Sequence, residues 1–145
     1  MRFTFAGLFI TALMLALVPS AARADDASLR KTVATQAKKW EKAAERYVDK
    51  VKGLEDGDEA KLKSATQTFA KSTQSFHAKV EAEEASSSKL KKARTKLLDG
   101  LETYGDALDK LVEAIDSEDK AKLKSAQKKA DSAEKKLKSA AKAFS

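Results

Sequence analysis

His77 is the only histidine in a chain of 145 residues that has no cysteine. It stands four residues before Glu81, with Glu83 and Glu84 close behind. A zinc-type centre needs three or four converging nitrogen or sulfur ligands, and no second His or any Cys can supply them. A carboxylate-rich site for a hard cation is all that this cluster offers. Asp56-Gly57-Asp58-Glu59 has the opening of a calcium loop, but the bidentate Glu at the later position is missing. Capping of a following helix accounts for the same residues. Nucleophilic catalysis would require an activated Cys, or a Ser in a strained Gly-x-Ser-x-Gly turn beside the His. Neither occurs, and the glycines are too scattered to cradle a phosphate. The expected protein is therefore not an enzyme and carries no cofactor and no metal.

Lysine is the residue whose placement points to chemistry. Past residue 24 the chain holds 27 basic and 22 acidic side chains. The excess is unevenly spread, at +2 over 25–55, −2 over 56–85, 0 over 86–117 and +5 over 118–145. At 100° per residue, Lys120, Lys124, Lys128, Lys135, Lys138 and Lys142 fall on one side of a helix, with Asp131 among them. Lys89, Lys91, Lys92, Arg94 and Lys96 form a second cluster. These eleven side chains are the candidate contacts to an anionic surface. An envelope polymer, a membrane surface or another envelope protein would fit, whereas nucleic acid is disfavoured because no aromatic residues interleave with the cations. Solubility alone would also be served by such a charged face.

Four helices must position these groups. Val33, Trp40, Tyr47 and Leu54 recur every seven residues, as do Leu62, Phe69 and Phe76. Leu90, Leu97, Leu101, Tyr104, Leu108, Leu111 and Ile115 follow a 3–4 rhythm, which Leu123, Ala126, Ala130, Ala133, Leu137, Ala140 and Phe144 repeat mostly with alanine. No period-two alternation is sustained, so no strand is expected. The spacing predicts helices over 27–54, 58–84, 88–115 and 118–144. Gly53 is expected to close the first, Asp56 with Glu59 to open the second, and Ser86 to Ser88 to open the third. Ser117 is expected to cap the fourth. Gly100 and Gly105 interrupt the third, either to admit a neighbouring helix or as tolerated defects costing about 1 kcal/mol each.

Ala60-Lys61-Leu62-Lys63-Ser64-Ala65 recurs as Ala121-Lys122-Leu123-Lys124-Ser125-Ala126. An offset that long spans a helical hairpin. The expected fold is all-α, an up-down four-helix bundle of heptad-spaced helices built from two repeated antiparallel hairpins. It occupies residues 25–145 as a single domain. Antiparallel pairing would bring the start of the third helix beside the end of the fourth and merge their cations. Residues 1–24 read as a cleaved export signal: Arg2, an apolar run from Phe5 to Val18, and Ala22-Arg23-Ala24. A periplasmic or secreted location follows from that segment.

Beyond residue 24 only 20 of 121 residues are Val, Ile, Leu or Phe. The core should be thin, and the fourth helix its least anchored part. The expected function is that of an exported structural or interaction module. The alternative is a small-ligand carrier with a pocket lined by Trp40, Tyr47, Phe69, Phe76 and Tyr104.

Overall fold

The computed structural model describes residues 24–145, so the expected leader lies, but for Ala24, outside the described residues. Four helices follow in order: α1 Ala24–Lys52, α2 Glu59–Glu81, α3 Ser88–Ser117 and α4 Lys120–Phe144. They make the described chain 88% helical, with no strand among the described residues. None of the helices is long and apolar enough to cross a membrane.

Each helix runs antiparallel to the next, and side-chain contacts fix the register. Trp40 and Tyr47 of α1 meet Thr73 and Thr66 of α2. Arg94 reaches Val80 while Lys63 reaches Asp116, which sets α2 against α3. Lys136 meets Asp99 and Lys129 meets Asp106, which sets α3 against α4. Arg30 Nη1 of α1 donates to the Phe144 carbonyl of α4 at 2.8 Å and closes the ring of helices. The result is a helical bundle around one principal core, with a satellite cluster of Leu62, Leu111, Ile115 and Ala126 near the α3–α4 turn.

Apolar periodicity fixes which face of each helix turns inward. Leu29, Val33, Trp40 and Tyr47 are buried on α1, and Leu62, Phe69, Phe76 and Val80 on α2. On α3 the whole 3–4 series from Leu90 to Ile115 is buried. The alanines of α4 leave little side chain between backbones, and α3 and α4 approach more closely than any other pair. Gly100 lies at this seam, where an added Cβ would stand 2.8 Å from Leu137 Cδ2 and 3.3 Å from the Leu137 nitrogen. Gly105, five residues on, has open space about its Cβ position. One interruption of α3 thus admits a neighbour and the other is a tolerated defect.

The ends of the helices differ from the sequence expectation, each for a local reason. α1 is already helical at Ala24, the first described residue, three residues before the expected start, and Asp25 and Asp26 lie in the first turn described. It stops at Lys52, and Gly53 does not take the left-handed conformation expected of it. The positive φ in that turn belongs to Gly57, at 102°. Asp58, not Asp56, precedes α2, and its side chain makes no cap to the helix. Its carboxylate instead accepts from the Glu55 N–H and from Lys61, the latter first among the causes that hold it below the usual carboxyl range. α2 ends at Glu81 rather than 84. Ser87 caps α3 by accepting from the Leu90 N–H. Ser117 does not cap α4, because its hydroxyl donates back to the Glu113 carbonyl inside α3. Asp119 takes that role, accepting from Ala121 and Lys122.

Candidate functional site

The five aromatic residues of the carrier alternative do converge, but on one another. Phe69 stacks on Tyr47 at a centroid separation of 5.3 Å and on Trp40 at 5.6 Å. Tyr104 meets Trp40 and Phe69 edge-on at 5.4 and 5.9 Å. Phe76 touches Trp40 at 6.3 Å. All five are buried. An open groove of about 470 Å³ does exist on the surface, but it lies elsewhere, between the end of α1 and the start of α2, and is lined by Lys50, Leu54, Ala60, Lys61, Ser64 and Ala65.

Two buried hydroxyls satisfy the polar edges of this cluster. The Trp40 indole N–H donates to Thr73 Oγ1 at 2.9 Å, and that hydroxyl donates onward to the Phe69 carbonyl. Seven residues along α1, Tyr47 meets Thr66 Oγ1 at 3.3 Å, and Thr66 donates to the Leu62 carbonyl. With the Thr66 proton so committed, Tyr47 is the donor. Thr66 was missed by sequence reasoning, although the heptad offset from Thr73 was a usable signal. Burial pushes the Tyr47 hydroxyl above its ordinary range despite this contact. Tyr104 is raised much further, by burial and then by the Glu134 carboxylate and Tyr47, and its hydroxyl has no hydrogen-bond partner.

His77 Nδ1 lies 3.8 Å from Glu81 Oε2 on the half-exposed side of α2. Glu83 does not join them. It turns to α1, accepting from Thr32 at 2.6 Å and Ser28 at 2.8 Å, and these bonds hold its carboxyl below the ordinary value. Among the described residues, no three His, Cys, Asp or Glu side chains are grouped to hold a metal ion.

Asp26 is 5% exposed and accepts from the Ser86 N–H at 2.7 Å and the Ser87 N–H at 3.2 Å. Burial alone would raise its pKa. The bonds from Ser87 and Ser86, with Arg30 nearby, outweigh that and bring it below the usual 3.8. Asp26 and Glu83 together tie α1 to the turn between α2 and α3. Because both carboxyls titrate lower when folded than unfolded, their stabilisation is complete above the unfolded values and is lost as pH falls through the folded ones. The thermal midpoint is therefore expected to fall below about pH 4.5, where the two carboxyls take up protons on unfolding. An Asp26→Asn, Glu83→Gln double variant should show a weaker acid dependence. An unchanged acid slope in that variant would assign the loss to other groups.

The candidate cations divide by environment. Lys89, Lys91, Lys92 and Lys96 are exposed at the start of α3. Lys120, Lys124, Lys128, Lys135, Lys138 and Lys142 are exposed along α4. Among the described residues none of these ten lysines has an ion-pair partner, whereas Lys129 and Lys136 on the flank of α4 are held by Asp106 and Asp99. Arg94 stands apart. Its guanidinium donates to the Val80 carbonyl at 3.3 Å and the Glu81 carbonyl at 2.7 Å, and so closes the C-terminus of α2. The start of α3 and the end of α4 share one end of the bundle. Asp25, Asp26 and Glu83 lie at that end too, bound to Ser86, Ser87, Ser28 and Thr32.

These features define an all-helical bundle with a filled aromatic core and an unpaired lysine face. Comparison with protein-family models, with curated proteins and with solved structures finds no match.

Proposed function

We propose that this chain is an exported, non-enzymatic bundle of two repeated helical hairpins that acts by binding an anionic surface or polymer through its lysine-rich C-terminal helix. Export rests on the leader-like residues 1–24, which imply action in the periplasm or outside the cell. The observation that supports the binding role is the row of six exposed α4 lysines, none of them in an ion pair among the described residues.

Helix electrostatics support the same reading. α3 has no acidic residue in its first turn and no basic residue in its last. Its first nine residues carry five cations, and its remainder carries six carboxylates against Lys110 alone. Both arrangements oppose the helix macrodipole, so these charges do not stabilise the helix that bears them. Asp99, Asp106 and Asp116 serve lysines of α4 and α2, and Arg94 serves the α2 carbonyls, but the placement of Lys89, Lys91, Lys92 and Lys96 is better explained by something outside the bundle.

Retention on a heparin matrix tests the proposal. The protein should bind at low salt and elute as salt rises, since counterion release drives such contacts. Replacing Lys120, Lys124, Lys128, Lys135, Lys138 and Lys142 by glutamate should abolish retention. If that variant folds and is still retained at the parent's salt concentration, α4 is not the binding face.

A further inference from the structure

The helix register determines what stands on either side of α4 along its length. Arg30 opposite Phe144, and Lys136 opposite Asp99, anchor the alignment. Both neighbours run antiparallel to α4, and each helix rises about 1.5 Å per residue. Beside the C-terminal half of α4, α1 therefore brings Lys31, Lys38 and Lys42. These lysines fall on the side of α1 between its outward face and α4 by helical periodicity, with the half-buried Glu41 nearer α4 and Asp131 standing among the α4 lysines. All three are exposed, and none has an ion-pair partner among the described residues. On the other flank α3 brings Lys89, Lys92 and Lys96, equally exposed.

The N-terminal half of α4 has mixed surroundings. Its flanks are Glu45, Asp49 and Lys52 on α1 and Asp106, Glu113 and the half-buried Lys110 on α3. Lys120, Lys124 and Lys128 thus sit in a nearly balanced field. At the basic end, Glu83 lies on the Ser28 and Thr32 side of α1, away from α4, and the buried Asp26, near Arg30, is held by the Ser86 and Ser87 N–H groups.

Resting on the proposed anion-binding role, we infer that the site is a patch centred on the C-terminal half of α4, and that its partner is the headgroup surface of an anionic lipid bilayer. Lys135, Lys138 and Lys142 form its middle, and the lysines of α1 and α3 form its two sides. A linear polyanion would follow a stripe and use the whole length of α4, but the carboxylates in the mixed flanks oppose it over half that length. Cations spread over three neighbouring helices instead match a two-dimensional array of negative headgroups. Lysine suits this role as a mobile point charge, without the fixed fork that arginine presents to single phosphates. In the C-terminal half of α4 Leu137 and Phe144 are buried, and the half-buried Leu123 lies outside the patch, so the contact is adsorption without insertion.

The test uses two variants that remove equal charge. One carries Lys31→Gln, Lys38→Gln and Lys42→Gln on α1; the other carries Lys120→Gln, Lys124→Gln and Lys128→Gln on α4. All six positions are exposed, and glutamine keeps similar helix propensity. Circular dichroism and the thermal midpoint confirm that both fold. Co-sedimentation is measured with vesicles of phosphatidylglycerol and phosphatidylcholine in equal parts, and with phosphatidylcholine alone. The parent should bind the mixed vesicles and not the neutral ones. Each surface lysine contributes roughly fivefold at an anionic bilayer, so the α1 variant should lose about 100-fold and the α4 variant less than about fivefold. Equal losses, or a larger loss in the α4 variant, overturn the patch. Heparin retention without vesicle binding overturns the bilayer as partner and leaves the proposed anion-binding role standing. Failure to bind either overturns both.

Discussion

Replacing Phe69 by alanine is expected to cost about 3–5 kcal/mol, the range for truncating a buried aromatic residue. Phe69 contacts three other rings, stacking on Tyr47 and Trp40 and receiving the edge of Tyr104. Each such pair adds roughly 0.5–1.5 kcal/mol beyond the area it buries. Because 20 large aliphatic and Phe residues support the 121 residues past position 24, few neighbours can move in to fill the gap. Domains of this size are stable by only about 5–15 kcal/mol, so a large share of the total is at stake. Phe76 provides the control. It is as buried as Phe69 but among the described rings meets only Trp40, at 6.3 Å. Phe76→Ala should therefore be milder by about 1–2 kcal/mol. Urea denaturation followed by Trp40 fluorescence measures both. Equal or greater loss at Phe76 would show that the Phe69 ring contacts add nothing beyond burial.

That cluster was largely legible in the sequence, because one helical period fixes which residues face inward. Trp40, Tyr47, Phe69, Phe76 and Tyr104 all occupy positions that the heptad spacing placed inside. What they do there was not legible. A one-dimensional pattern shows that five rings share an interior, but not whether they line a space or fill it against one another. Helix ends were read less well, since Asp, Ser and Gly near a boundary offer several capping partners of similar energy. Ser117 and Asp119 competed for one cap, and Asp119 holds it because the Ser117 hydroxyl is spent within its own helix.

The lysines show a different limit. Sequence periodicity found those on α4 and at the start of α3, because each group is local. Lys31, Lys38 and Lys42 escaped notice, since α1 carries acidic residues of its own and its net charge over 25–55 is modest. Only the register between helices reveals that its basic half adjoins the C-terminal half of α4. Arg94 shows the same limit. Its sequence neighbours are lysines, but its spatial partners are the last carbonyls of α2.

The alanine-rich face of α4, which sequence alone marks as weakly anchored, brings its backbone close to α3, and Leu137 concentrates the consequences. It is buried against Gly100, with Cδ2 2.8 Å and Cγ 3.0 Å from where a Cβ on that glycine would lie. Leu137→Ala should cost about 2–4 kcal/mol, because a closely packed seam collapses poorly around a lost side chain. Gly100→Ala gains about 1 kcal/mol of helix propensity but forces the Leu137 side chain or the helices apart, at roughly 1–3 kcal/mol. In the parent it should be destabilising. In the Leu137→Ala background those two carbons are gone, and of the three nearest atoms only the residue 137 nitrogen, at 3.3 Å, stays. There the same substitution should become stabilising, so the double variant is less damaged than the two single losses predict. Gly105→Ala, with open space around it, should stabilise in both backgrounds. If Gly100→Ala stabilises the parent as much as Gly105→Ala does, α4 can move away from α3 at no cost, and close helix approach is not what anchors it.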